Sequence, residues 1–315
     1  MSSDKIIKIK FKINKMNIII LGAGAIGSFY GAKLSKLNDV ILIAKKEHAN
    51  RINKSGLRMT GLEEGVFRIK ADTEIREIAE NTLILLTTKV YDSGRSIKEI
   101  KNKLRKDTII ICLQNGLYSE DIAKKIAGKK CTVLRAVTNF GATFLEPGAV
   151  GYKSYSYTSI EKSPKSKEIA DNFSKCGLNA HESKDIRHDM WKKAVFNCIL
   201  NPVTAILKIK NNGITDDKLN PLKKLIADEC AEVAEKDGIK FGFDFVEATN
   251  REFKGSQNVS SMQQDLLKGK NTEIDYLNGA VVKLGKKYGI KCPVNDSIAE
   301  IIKGMENKNR IQIFK

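Results

Sequence analysis

Six residues, Gly22, Ala23, Gly24, Ala25, Ile26 and Gly27, constrain this chain more than any other feature. They follow a short apolar run, Asn17 to Leu21, and precede a stretch of helical composition, Ser28 to Leu37. A G-x-G-x-x-G turn between strand and helix predicts the first βαβ unit of a dinucleotide-binding sheet. Gly22 permits the tight turn, Gly24 lets backbone approach a pyrophosphate, and Gly27 lets the helix pack closely on the strand. The helix N-terminus then offers free N–H groups and a positive dipole end to the phosphates. A glycine-rich turn with no ligand is the competing reading.

From Met16 onward, β and α patterns alternate. Asp39 to Ala44, Thr82 to Thr87, Thr108 to Leu113 and Thr132 to Thr138 read as buried strands, separated by charged helical stretches such as Ser93 to Leu104 and Ser119 to Ile126. Strands apolar on both faces and alternating with helices predict a parallel, doubly wound sheet. Leu57 to Thr60 and Val66 to Lys70 read as a hairpin inserted in that sheet. Gly148 to Ser159 and Leu178 to Ser183, with a helix near Lys165 to Lys175 between them, are expected to extend it. Beyond about Lys184 the strand signals stop. Asp189 to Leu207, Pro221 to Asp237, Asp244 to Lys254, Thr272 to Tyr288 and Asn295 to Asn307 have helical length and composition. The expected fold class is therefore α/β: a Rossmann-type doubly wound parallel sheet over residues 16–184, then an all-α domain over 185–315. Residues 1–15 form a basic N-terminal extension without the continuous apolar core of a signal peptide.

Composition narrows the partners. With 42% apolar and 29% charged residues among 315, the chain is globular, and no apolar run reaches the 18 or so residues of a spanning helix. A soluble protein with no membrane partner is expected. The 55 Lys and Arg against 37 Asp and Glu give +18. The lysines are scattered instead of forming one stripe with aromatics, so a solvated basic surface is preferred over a nucleic-acid footprint. Six cysteines, Cys112, Cys131, Cys176, Cys198, Cys230 and Cys292, show no metal-ligand spacing. They read as reduced, buried thiols of a cytoplasmic protein that holds no metal.

The end of the second strand selects the dinucleotide. There an NAD enzyme places a carboxylate on the ribose 2′-OH, whereas this chain has Lys45 and Lys46. Two cations favour the 2′-phosphate of NADP(H). Glu47, one step further, competes for that position, and a plain solvated loop is the other alternative.

Reduction of a ketone by hydride needs a proton donor and polar groups that orient the substrate. The three histidines, His48, His181 and His188, read as surface or interface residues. Lys193, Asn197 and Asn201 are spaced i, i+4, i+8 on a helix otherwise apolar nearly all round, so they form one polar stripe. A ligand cleft explains such a stripe; so does an exposed face. Lys89 and Asn115 follow apolar strands, at the carboxyl ends where doubly wound sheets bind ligands. Thr272 with Asp275 resembles a capping box, which places Glu273 in a helical first turn.

The glycine turn, Thr88-Lys-Val90, Gln114-Asn-Gly116, Trp191-Lys-Lys193 with Asn197 and Asn201-Pro-Val-Thr-Ala205, Ser260-Ser-Met262 and Thr272 to Gly279 occur in a telling order. In order and approximate spacing the chain resembles the ketopantoate reductase (2-dehydropantoate 2-reductase) family from Met16 to about Asn307. The resemblance implies reduction of 2-dehydropantoate to (R)-pantoate, toward pantothenate and coenzyme A, with substrate between the domains. It implies that Lys193 protonates the carbonyl oxygen and that Glu273 hydrogen-bonds the substrate and orders the site. Asn115, Asn197, Asn201 and Ser261 would hold the substrate hydroxyl and carboxylate. Gly22 to Gly27, Lys45, Lys89 and Asn115 would contact the cofactor. Where many members carry Arg after the second strand this chain has Lys45, which lacks the bidentate fork for phosphate. NADP(H) is favoured less strongly on that account, with NAD(H) as the alternative. A homodimer fits the same picture. Two competing functions are a reductase of another small 2-oxo acid and a non-catalytic dinucleotide sensor; the sensor predicts loss of the reactive lysine or its amides, and both are present.

Overall fold

The computed structural model describes residues 15–312, with side chains to residue 306, so residues 1–14 of the basic extension lie outside the described part. In chain order the first unit is β1 (Asn17–Leu21), α1 (Ala25–Leu34), β2 (Asp39–Ile43) and α2 (Lys46–Ser55). Then come β3 (Leu57–Gly61), β4 (Gly65–Phe67), β5 (Lys70–Asp72), β6 (Thr82–Leu86), α3 (Ser93–Ile100), β7 (Ile109–Cys112) and α4 (Ser119–Ala127). The last strands are β8 (Thr132–Thr138), β9 (Gly141–Glu146), β10 (Ala149–Ser154), β11 (Thr158–Ile160) and β12 (Ala180–Glu182), with α5 (Ser166–Lys175) before β12. Six helices follow: α6 (Ile186–Leu207), α7 (Asn220–Lys236), α8 (Phe245–Phe253), α9 (Ser261–Leu267), α10 (Asn278–Tyr288) and α11 (Pro293–Gln312).

Eight strands form one sheet in the order β12-β11-β8-β7-β6-β1-β2-β5. From β8 to β5 every pairing is parallel. β1 is apolar after Asn17 because both of its faces are covered. Ile18 and Ile20 face a core shared with α1, while Ile19 and Leu21 face one shared with Ile97 and Ile100 of α3 and Ala123 and Ala127 of α4. The strand order reverses between β2 and β6 on either side of β1, which puts the glycine turn at the switch point where such sheets bind ligands. This is a Rossmann-like N-terminal domain followed by a helical C-terminal one, the fold class that the sequence predicts.

Several details differ from the sequence expectation. The hairpin of β3 and β4 is not inserted in the main sheet; it belongs to a second sheet, β4-β3-β10-β9, and only β5 returns to pair with β2. Gly148 to Ser159 is likewise divided, with β10 parallel to β3 in the small sheet and β11 antiparallel to β8 in the large one. β9 was not expected at all. Helix α1 is sandwiched between the two sheets: its Phe29 ring lies 4.7 Å from that of Tyr152 on β10, and Gly31 lies so close to Leu42 that an added Cβ would sit 2.3 Å from its side chain. A helix covered on both sides needs no polar face, which is why this one is apolar nearly all round.

In the helical domain, α6 runs straight through Pro202. Proline has no N–H, so the Cys198 carbonyl loses its helical donor. The buried Asn278 side chain supplies one, Nδ2 donating to that oxygen at 3.1 Å. The stretch Thr272 to Tyr288 is not one helix. It begins with a 3₁₀ turn, Ile274–Tyr276, before α10. Thr272 Oγ1 does accept from Ile274 N, but Asp275 does not complete a capping box. Glu306 takes the Thr272 N–H instead, at 2.7 Å, while Asp275 pairs with Lys303. Glu273 therefore stands before the turn and not inside a helix. α9 was also unexpected. His48, expected at the surface, is buried: Nδ1 accepts from Gly148 N at 2.8 Å and Nε2 lies 3.1 Å from Ser28 Oγ. All six cysteines are free thiols, five buried and Cys131 half-buried.

Candidate active site

The glycine turn is dictated by close packing. Gly22 has φ +108°, and a Cβ there would lie 2.6 Å from the backbone of Thr88. The loop after β6 is thereby pressed against the turn, and Lys89 stands beside it. At Gly27 a Cβ would meet the Gly22 carbonyl at 2.4 Å. Gly24 differs, since nothing lies within 4 Å of where its Cβ would be. It caps α1 without a side chain, leaving first-turn N–H groups of the helix uncapped and facing open space. That open, side-chain-free cradle with a positive helix end fits a dinucleotide pyrophosphate. Lys45 is the capping residue of α2 with extended backbone; it and Lys46 are exposed, and neither forms an ion pair among the described residues.

Across from the turn, residues far apart in sequence converge on Glu273. This carboxylate is 7% exposed, accepts from the Val90 N–H and Asn115 Nδ2, each at 3.3 Å, and lies 3.6 Å from Lys89 Nζ. Lys89 makes a shorter contact, 2.5 Å, to Asp265 on α9. Burial works against the Lys89 ammonium, but the Glu273 and Asp265 carboxylates outweigh it and hold the group above its ordinary value. Burial conversely raises Asp265 despite its cationic partner. Asp265 and Glu273 belong to the helical domain and Lys89 and Asn115 to the loops at the sheet's carboxyl edge, so the cluster bridges the two. The sequence carried no sign of Asp265: it sits in an ordinary polar stretch, and only the fold brings it to Lys89.

Lys193 lies on the face of α6 that meets β8, where Nζ donates to the Thr138 carbonyl at 2.5 Å. Its ammonium end is enclosed, and burial, reinforced by the Arg135 cation, lowers its pKa from 10.5 to about 7, with Glu273 opposing. A lysine balanced near neutrality is suited to proton transfer. Along the same helix, Asn197 is half-buried and Asn201 buried, so the polar stripe is not the exposed face. The Ser260 hydroxyl, buried, caps α9 and joins it to α6, donating to the Asn201 carbonyl at 3.5 Å and accepting from Thr204 Oγ1 at 2.9 Å. Ser261 is the exposed first residue of α9. The structure thus gathers Lys89, Asn115 and Glu273 by direct contact, with Lys193 within their electrostatic reach. Asn197 and Asn201 lie on α6 and Ser261 at the start of α9, which packs against α6, and Lys45 stands apart after β2. Among the described residues no cluster of acidic, His or Cys side chains could hold a metal, and no helix is long and apolar enough to cross a membrane.

Comparison with known proteins identifies the family of the chain. Residues 18–165 match the family described as "Ketopantoate reductase PanE/ApbA", and residues 185–306 match "Ketopantoate reductase PanE/ApbA C terminal". A 2-dehydropantoate 2-reductase of Pyrococcus horikoshii is 34% identical over 300 residues, covering 93% of this chain and 98% of the relative. Among solved structures, a PanE/ApbA family ketopantoate reductase from Ralstonia eutropha superposes with a TM-score of 0.87 at 28% identity, covering 94% of this chain and all of the other. D-mandelate dehydrogenase in complex with NADH and anilino(oxo)acetate superposes with a TM-score of 0.84 at 30% identity, with the same coverage. The two family matches together cover most of the sheet and the helices that follow it, and the chain belongs to the ketopantoate reductase family.

Proposed function

We propose that this protein is a 2-dehydropantoate 2-reductase, converting 2-dehydropantoate to (R)-pantoate toward pantothenate and coenzyme A, with NADPH preferred over NADH. The observation that carries the reading is Lys193, a half-buried lysine of α6 that donates to the Thr138 carbonyl and lies within electrostatic reach of Glu273, itself in contact with Asn115 and Lys89. A nicotinamide dinucleotide supplies the hydride when bound. Lys193 Nζ, protonated, delivers the proton to the substrate oxygen and returns to hydrogen bonding with the Thr138 carbonyl. Glu273 accepts a substrate hydroxyl, in place of one of its present donors, and keeps the Lys89 side chain oriented. Asn115, Asn197, Asn201 and Ser261 bind the substrate hydroxyl and carboxylate, and residues Gly22 to Gly27 with Lys45, Lys89 and Asn115 bind the cofactor. We divide the domains at residues 184 and 185, take the substrate between them, and assign a cytoplasmic location, a homodimer and no nucleic-acid or membrane partner.

A second reading is favoured by one observation: a protein 30% identical over nearly the whole chain is a D-mandelate dehydrogenase seen with NADH. That reading makes this chain a reductase of another small 2-oxo acid, with NADH as donor. One assay separates them. Oxidation of NADPH and of NADH is followed spectrophotometrically with 2-dehydropantoate, the 2-oxo acid of mandelate, and aliphatic 2-oxo acids of graded size. The highest kcat/KM with NADPH and 2-dehydropantoate is expected; a preference for the aryl acid with NADH establishes the second reading.

A further inference from the structure

The loop that carries Asn115, between β7 and α4, is conformationally costly. Gly116 has φ +89° and Tyr118 φ +54°, and a Cβ at Gly116 would meet the Tyr276 carbonyl at 2.5 Å. A non-glycine residue in the left-handed region costs on the order of 1 kcal/mol, so something must hold the loop. Arg135, on the neighbouring strand β8 and 3% exposed, reaches it. Its NH2 donates to the Gln114 carbonyl at 2.7 Å and to the Gly116 carbonyl at 3.1 Å, the two oxygens that flank Asn115. NH1 donates to Ser119 Oγ and lies 3.5 Å from Glu120 Oε2, at the start of α4. On the opposite side, Leu117 N donates to the Tyr276 carbonyl at 3.1 Å, which ties the same loop to the turn following Glu273. A buried guanidinium is costly to desolvate, and core packing alone gives no reason to keep one.

We propose that Arg135 is a positioning residue of the reductase site, one terminal nitrogen of its guanidinium holding the carbonyls on both sides of Asn115 while the other is anchored at Ser119 and Glu120, so that this amide is held against Glu273. The inference rests on the reading that Asn115 and Glu273 bind substrate. Lysine cannot reproduce the arrangement, because one ammonium cannot hold the two carbonyls and the Ser119–Glu120 anchor in a fixed plane, although it keeps the charge opposite Glu120.

The test is a double-mutant cycle of Arg135→Lys and Asn115→Ala in the full-length enzyme, read as kcat/KM for 2-dehydropantoate. Melting temperature and NADPH dissociation constant are measured alongside. A misplaced amide costs about 10- to 100-fold. Arg135→Lys is expected to lower kcat/KM by such a factor with NADPH affinity retained, and to add little when Asn115 is already alanine. If Arg135→Lys does not fold, Arg135→Met with Glu120→Gln removes both buried charges together and enters the same cycle. Multiplicative losses, or near-normal kcat/KM in the arginine variant, overturn the proposal. Near-normal kcat/KM in Asn115→Ala alone overturns the reading of the site, and the proposal with it.

Discussion

Lys89 Nζ and Asp265 Oδ2 are 2.5 Å apart, although 176 residues separate them in the chain. The pair fastens the loop after β6 to α9 and so joins the two domains over the cleft. Glu273, at 3.6 Å, is the second anion beside Lys89 and already accepts from Asn115. Asp265→Asn keeps the shape and removes the charge of the nearer partner, which turns Lys89 toward Glu273 in competition with Asn115. Hydrogen bonds to charged groups contribute about 1.5 to 3 kcal/mol, so we expect kcat/KM to fall roughly tenfold or more. Melting should change by only a few degrees, since about 1 kcal/mol moves a chain of this size by roughly 2 to 4 °C. Unchanged kcat/KM would show that the pair serves only to hold the domains together.

Lys193→Ala should nearly abolish turnover, since loss of a positioned proton donor costs about 10²- to 10⁴-fold. Cofactor binding should survive, because the glycine turn and Lys193 are built on different elements. The pH dependence gives an independent reading. Burial first and the Arg135 cation second lower the ammonium to about 7, while Glu273 opposes them. On the proposed assignment reduction uses the protonated lysine, so kcat/KM should be high below pH 7 and fall above it. Oxidation of pantoate uses the neutral amine and should rise through the same pH. A descending limb near pH 10, or none, would contradict the assignment.

What the sequence makes legible is local. Asn17 to Leu21, the glycine turn and the apolar strand beside Asn115 declare themselves within a few residues, since strand burial and turn chemistry are written in neighbouring side chains. β9 does not, and neither does the sheet to which β10 belongs, because that depends on β3, about ninety residues earlier. Asp265 and Arg135 were invisible for the same reason: each is an ordinary charged residue until the fold sets it beside Lys89 or beneath the Asn115 loop. Glu273 was found through family resemblance while its local setting was misread. A capping pattern spans four residues, but its completion by Glu306 is a tertiary event.

Asn278 gives a stability prediction. Its amide donates to the Cys198 carbonyl freed by Pro202 and, at 2.9 Å, to Asn295 Oδ1, all without exposure to water. Asn278→Ala leaves the Cys198 carbonyl unpaired in the core and Asn295 Oδ1 with only the weak Cys230 thiol donor at 3.6 Å. A destabilisation of about 2 to 4 kcal/mol is expected in urea unfolding. Adding Pro202→Ala restores an N–H to the Cys198 carbonyl, so the double variant should recover part of the loss. An additive or larger loss would mean that the asparagine acts through packing.

The proposed preference for NADPH is tested at the end of β2. Lys45 and Lys46 are exposed at the N-terminus of α2, where the helix dipole adds to their charge, while Glu47 in the first turn opposes it. NADP differs from NAD by one phosphate, so only groups that sense that phosphate can discriminate between them. Changing both lysines to alanine should therefore weaken NADPH much more than NADH. Exposed ammonium groups share their charge with solvent, which puts each contact at or below about 1 kcal/mol and the pair at roughly tenfold in affinity. Both dissociation constants must be measured at one ionic strength, because salt screens this contact together with the general field of a chain carrying +18. Equal losses for the two cofactors would mean that the lysines act only through that field. Tighter binding of NADH by the unaltered protein would instead align its cofactor with the one seen in the D-mandelate dehydrogenase structure.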